Sequence, residues 1–220
     1  MKYRSVFDII GPVMVGPSSS HTAGAVSIGR TARMLFGEKP DQVQVTLYGS
    51  FAETYKGHGT DVAIAGGLLA FEPNDRRLPQ ARTLAKEEGI DISFEADKVT
   101  QVDHPNTARL HLSKGEDLLD LVGVSIGGGK IEIIEVDGFP ISLSGSNPAL
   151  LVLHLDKYGA VAEVARVIAR YEMNISYMEV SRQEKGRLAL MVIQTDEEIN
   201  ENLADEISAL PNMLHVAVLS

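Results

Sequence analysis

Along the last third of the chain the apolar residues follow two rhythms. Ala149 to Leu155 is an unbroken apolar run closed by Asp156-Lys157-Tyr158-Gly159, which predicts a strand and a turn. Val161, Val164, Ala165 and Ile168 then recur at i, i+3, i+4 and i+7, the spacing of one helix face, and that helix ends near Glu172-Met173-Asn174. Ile175 to Ser181 and Leu188 to Thr195 read as two strands joined by Glu184-Lys185-Gly186, a segment of hairpin composition. Thr195-x-x-Glu198 has the form of a capping box, opening a helix with Ile199, Leu203, Ile207 and Leu210 on one stripe. Pro211 stops that helix, and Met213 to Leu219 gives a last strand. The order βαββαβ is that of a ferredoxin-like domain.

The first 145 residues mix shorter elements. A capped helical turn is expected at Ser5 to Ile10, a helix from about Thr22 to Phe36 and a strand from Val43 to Tyr48. Further helices are expected near Thr60 to Leu69 and Pro79 to Glu88, the second stopped by Gly89. Strands follow at Ile92 to Glu95, Ala108 to Leu112, Leu121 to Ile126 and Ile131 to Val136. The fold class is therefore α+β, with one domain over residues 1–146 and a second over 149–220.

Composition narrows the function. The formal charge of −10, with no cluster of Lys and Arg, argues against nucleic acid as a partner. No stretch reaches the roughly 20 apolar residues of a membrane span, and the first residues lack a signal-peptide pattern, so a cytoplasmic protein is expected. The chain has no cysteine, which excludes disulfides and any thiolate-held metal or cluster ligated by this chain.

Candidate chemistry gathers in glycine-rich segments. Gly16-Pro17-Ser18-Ser19-Ser20-His21-Thr22-Ala23-Gly24 leads directly into a helix, where free N–H groups and the hydroxyls of Ser18, Ser19, Ser20 and Thr22 suit a carboxylate. One serine acting as a helix cap would explain the same residues at about even odds. His58 sits between Gly57 and Gly59, just before a helix, in what reads as an exposed tight turn. Its imidazole can take a proton near neutral pH, with Lys56, Thr60 and Asp61 close by. Taken alone, a plain helix start there is about twice as plausible. His104-Pro105-Asn106-Thr107 offers a third imidazole and an amide ahead of a strand, while His111 alternates with Leu110 and Leu112 and belongs on an exposed strand face. Small residues at 23–25, 29 and 32 leave one side of the first helix open to a close backbone neighbour. Gly127-Gly128-Gly129-Lys130 is no phosphate loop, since Ile131 replaces the required hydroxyl; a hairpin or bulge with unusual backbone angles fits better.

Taken together, Gly-Pro-Ser-Ser-Ser-His-Thr at 16–22, Tyr-Gly-Ser-Phe-Ala-x-Thr-x-Lys-Gly-His-Gly-Thr-Asp at 48–61, His-Pro-Asn-Thr at 104–107 and Ser-Ile-Gly-Gly-Gly at 125–129 resemble the iron–sulfur L-serine dehydratase family, beta-subunit type. The C-terminal region, with its Asp-x-x-Gly turn and Asn174-Ile175 opening, resembles an ACT domain. The first domain also resembles the allosteric substrate-binding domain of some 3-phosphoglycerate dehydrogenases, so the fold alone does not imply catalysis.

The family resemblance implies conversion of L-serine to pyruvate and ammonia without pyridoxal phosphate, with a [4Fe–4S] cluster bound by cysteines of a separate alpha subunit. It implies His58 and then His21 as candidate bases. Ser18, Ser19, Ser20, Thr22, Lys56, Thr60, His104 and Asn106 are implied substrate contacts. In the ACT region, Asp156, Gly159, Ala160, Val161 and Asn174 are the implied ligand site, unless that domain serves only to pair beta chains. A non-catalytic amino-acid sensor is the competing expectation.

Overall fold

The computed structural model describes residues 12–145 and 147–219, so the turn expected at Ser5 to Ile10 lies outside the described residues. The chain divides into two compact units, Met1–Ile134 and Glu135–Ser220.

In the first unit a π-helical turn, Ser19–Gly24, runs straight into α1, Ala25–Phe36. Gly37, at a φ of 80°, then turns the chain out of the helix. Strand β1, Gln42–Tyr48, alternates exposed and buried positions, with Val43, Val45 and Leu47 inward. Two helices follow, α2 at Gly49–His58 and α3 at Thr60–Leu68, hinged at Gly59. A short 3-10 turn, Leu78–Gln80, leads into α4, Ala81–Glu87. The remaining strands are β2, Asp91–Asp97; β3, Asn106–Lys114; β4, Asp117–Gly127; and β5, Lys130–Val136.

The strands lie in the order β2-β1-β3-β4-β5. The β1–β2 pair is parallel, whereas β1–β3 and β3–β4 are antiparallel. Helix α3 is apolar nearly all round and buried from Ala63 to Leu68, as a helix enclosed by its neighbours must be. Its contact with α1 uses the small residues noted in the sequence. A Cβ on Gly67 would lie 2.2 Å from the Val26 carbonyl and 2.8 Å from Gly29 Cα, and one on Gly29 would lie 2.5 Å from the Ile64 carbonyl. The β4–β5 connection places Gly127, Gly128 and Gly129 all at positive φ, giving the glycine run the hairpin role expected of it.

The structure corrects the reading of His58 as part of a tight turn. Residues 49–58 form a full helix that ends at it, because Gly49 at a φ of 53° redirects β1 and the Pro105 carbonyl accepts the N–H groups of Ser50, at 2.7 Å, and Phe51. Those donors would otherwise be unsatisfied at the helix start.

The second unit contains β6, Phe139–Leu143, and then the expected βαββαβ series. The series comprises β7, Ala149–Leu155; α5, Ala160–Arg170; β8, Ile175–Arg182; β9, Leu188–Thr195; α6, Glu201–Ser208; and β10, Met213–Leu219. The sheet order β10-β7-β9-β8 is the ferredoxin-like one. Leu150, Val152, Met191 and Ile193 face Val164, Val167, Ile168, Leu203 and Ile207 across one core.

Two details depart from the sequence reading. Val161 points outward, 39% exposed, and the buried face of α5 is Ala160, Val164, Val167 and Ile168. Helix α6 starts later than the Thr195–Glu198 box suggests. Asn200 caps it, its side chain accepting the Leu203 N–H at 2.9 Å, while the Thr195 hydroxyl donates to the Glu197 carbonyl.

Candidate active site

The four glycine- and histidine-bearing segments, far apart in sequence, converge in the first unit. Ser18 caps the π-helical turn, its hydroxyl accepting the backbone N–H of His21 at 3.2 Å. That winding places His21 inward, 8% exposed, with Nδ1 3.4 Å from Ser18 Oγ and Nε2 3.1 Å from Ser50 Oγ. The His21 ring meets Phe51 edge-on at 5.1 Å and His58 at 4.9 Å, perpendicular to it. His58 is the last residue of α2 and is exposed, as the sequence suggested, but it stands at a helix end. The Thr22 hydroxyl donates to the His58 carbonyl at 3.5 Å, tying the π-turn to that end.

The His-Pro-Asn segment supports this pair from below. Besides capping α2 through Pro105, it has the Thr107 hydroxyl donating to the His104 carbonyl at 2.6 Å, and the His104 ring nitrogen accepting the Asn106 N–H at 3.2 Å. The Asn106 amide donates to the Ser125 carbonyl at 3.4 Å. Ser125 in turn lies under the π-turn, where a Cβ on Gly24 would approach its Oγ to 2.1 Å. Gly24 is thus required by a serine 101 positions away.

Burial is the main cause holding the His21 imidazole below its ordinary pKa of 6.5. The neighbouring His58 adds to that depression, and a hydrogen bond with the Ser50 backbone opposes it. At neutral pH His21 is therefore uncharged, with a lone pair available on one nitrogen.

The other expected residues fall into place unevenly. Ser19 and Ser20 are half-buried in the turn, and Lys56 is exposed on α2 beside Tyr55. Thr60 is fully buried, its hydroxyl without a partner, and Asp61 pairs with Arg82 at 3.0 Å. Ser50 and Ser125 belong to the site although neither stood out in the sequence. Both lay inside recognised segments, and only the tertiary turn at Gly49 and the packing at Gly24 single them out. Ser125 Oγ, like Thr60 Oγ1, is buried without a partner. A groove of about 300 Å³ opens at the rim, lined by Val15, Pro17, Thr22, His58 and Val62 among others. A larger concavity of about 470 Å³ over Gln42, Gln44, Ser93 and His111 lies apart from the histidine pair.

In the second unit the expected ligand residues are held at two places. The Asp156 carboxylate accepts the Gly186 N–H at 2.8 Å and pairs with Arg182 at 3.2 Å. Gly159, at a φ of 87°, starts α5 just before Ala160 and Val161. Asn174 is bonded through its N–H to Glu197 and through its amide to Asp196.

The fold and the histidine site define a two-unit α+β protein with a serine-lined imidazole pair in one unit and an ACT domain in the other. The serine dehydratase beta chain family matches residues 5–87 and the ACT domain family residues 149–212. A Bacillus subtilis protein described as a probable L-serine dehydratase, beta chain, is 56% identical over the full length of both chains. A Peptoniphilus asaccharolyticus L-serine dehydratase beta chain is 35% identical over 92% of each. The D-3-phosphoglycerate dehydrogenase of Synechocystis is 28% identical over 84% of this chain and 33% of its own length. The chain belongs to the L-serine dehydratase beta chain family.

Proposed function

We propose that this chain is the beta subunit of an L-serine ammonia-lyase, supplying substrate contacts and a proton acceptor for the conversion of L-serine to pyruvate and ammonia. The observation that carries the reading is the perpendicular contact of His21 and His58 at 4.9 Å, set among serine and threonine hydroxyls. The beta-chain family supports a partner alpha subunit.

This chain's residues do not fit a [4Fe–4S] cluster. It has no cysteine, and among the described residues no group of three His, Asp or Glu side chains could hold a metal. The cluster's ligands are assigned to cysteines of the alpha subunit, where the bound cluster would supply Lewis-acid help to the departing hydroxyl. Pyridoxal phosphate has no part in the proposal.

Within this chain, His58 at the exposed end of α2 takes the α-proton of serine. His21 stands behind it, its pKa held below 6.5 mainly by burial. Ser18, Ser19, Ser20 and Thr22, on the π-turn, receive the substrate carboxylate or amine, with Lys56, Thr60, His104 and Asn106 in supporting positions. The unpartnered hydroxyls of Thr60 and Ser125 are fully buried, so Thr60 supports the site from within rather than by direct contact with a ligand. In the ACT domain, the turn from Asp156 to Val161 with Asn174 is the place for an amino-acid effector or for pairing of two beta chains.

The test is pyruvate release from L-serine under anaerobic conditions by the chain co-expressed with its alpha partner. His58→Ala and His21→Ala should each lower turnover by about 100-fold or more while the complex assembles with its cluster. Near wild-type turnover in both variants would instead favour an amino-acid sensor, a reading in keeping with the similarity to part of a D-3-phosphoglycerate dehydrogenase.

A further inference from the structure

His21 is held from two sides, and one of its holders comes from a different part of the chain. Ser18 is local, three residues before it, and its Oγ already accepts the His21 backbone N–H. Ser50 is 29 residues away, in the first turn of α2, with Oγ 3.1 Å from Nε2. Its position is rigidly set. Its N–H donates to the Pro105 carbonyl at 2.7 Å, its own carbonyl accepts the Thr54 hydroxyl at 2.7 Å, and the following Phe51 is fully buried with its ring against His21.

We propose that Ser50 is a positioning residue for the histidine pair, its hydroxyl fixing the tautomer and the ring orientation of His21 so that this ring stands edge-on to His58. Because Ser18 Oγ is occupied as an acceptor by the His21 backbone, its own proton is available for Nδ1. That arrangement leaves Nε2 as the protonated nitrogen, donating to Ser50 Oγ. Without the Ser50 hydroxyl the ring loses its 3.1 Å side-chain partner at Nε2, the long Ser18 contact at 3.4 Å is the side-chain hydrogen bond that remains, and χ2, which has a broad energy profile, is less firmly set.

His58 of α2 meets the His21 ring edge-on and is the titrating group that acts on it, while a hydrogen bond with the Ser50 backbone opposes the depression.

This inference rests on the lyase reading for its catalytic meaning but not for its geometry, so two measurements separate them. The first is the ring ¹⁵N spectrum of His21 in the full chain, wild type against Ser50→Ala and Ser50→Thr. Ser50→Ala should move the population away from the Nε2–H tautomer, and Ser50→Thr should restore it. An unchanged tautomer in Ser50→Ala would overturn the proposal. The second is the pH profile of pyruvate formation by the assembled pair, where Ser50→Ala should lower kcat about tenfold with KM little changed and Ser50→Thr should recover it. A Ser50→Ala enzyme with wild-type kcat and profile would overturn the positioning role. If His21→Ala and His58→Ala are both fully active as well, it is the catalytic reading of this chain that fails, whatever the spectrum shows.

Discussion

A buried imidazole beside a second imidazole has a definite acid–base character. Burial first, and His58 second, depress the His21 pKa, so in the folded chain it accepts a proton only below 6.5. The unfolded chain protonates this side chain at its ordinary value, and so binds more protons than the folded one as pH falls through that window. Stability should therefore be fully present above 6.5 and decline below it. Replacing His58 with alanine removes one of the two depressing causes, and the His21 titration should move up towards 6.5. An NMR titration of ring resonances in the His58→Ala chain checks this, and an unmoved His21 would show that the rings do not interact electrically. His21 and His58 were both visible in the sequence as candidates. Their partnership was not, because neither spacing nor composition shows that a turn wound at residues 19–24 and a helix ending at 58 bring two rings together. Ser50 was hidden for the same reason, since a serine next to a glycine reads as turn chemistry until the helix it starts is seen.

At the scale of elements, the strands and the amphipathic helices of the second unit were legible because their periodicities are strong. The helix at Gly49–His58 was not, because its sequence, Gly-Ser-Phe-Ala-Glu-Thr-Tyr-Lys-Gly-His, carries two glycines and little apolar periodicity. Its start is satisfied from outside, by the Pro105 carbonyl, which no local pattern reveals. The contact between α1 and α3 makes a sharper demand than any propensity. Gly67→Ala would drive a methyl into the backbone of α1, and the expected loss is about 2–3 kcal/mol. Gly57→Ala, in α2 with open space around it, should instead gain up to about 1 kcal/mol from helix propensity. Urea unfolding of the two variants distinguishes these outcomes, and equal midpoints would contradict the close approach of the helices.

For the molecule as a whole, the absence of cysteine separates stability from the proposed cofactor. A strong iron chelator should abolish serine turnover by the assembled pair yet leave the melting temperature of this chain alone unchanged, since the chain has no cysteine and no metal-holding group stands among the described residues. A fall in that temperature on chelation would reveal a metal bound by this chain and revise the division of labour between the subunits. The change of rhythm in the sequence lies near residue 149, whereas the structure's first compact unit ends inside β5, at Ile134, and β6 belongs to the second. Strand β6 is short and preceded by Asp137 and Gly138, both at positive φ, so neither length nor alternation announced it.

The π-helical turn at Ser19–Gly24 also sets how the chain tolerates a change in length. Such a turn holds one residue more than a regular α-helical turn. Deleting Ser20 would let the segment wind evenly into α1 as a regular turn, and because the π-turn absorbs the extra residue, the residues before it would keep their phase about the helix axis. The packed side of α1 would keep its register against α3, so the fold would survive. Ser18 would then stand two residues before His21 instead of three, so its cap position would face the Thr22 N–H. A single missing codon would thus leave a folded chain whose buried histidine has lost its local serine.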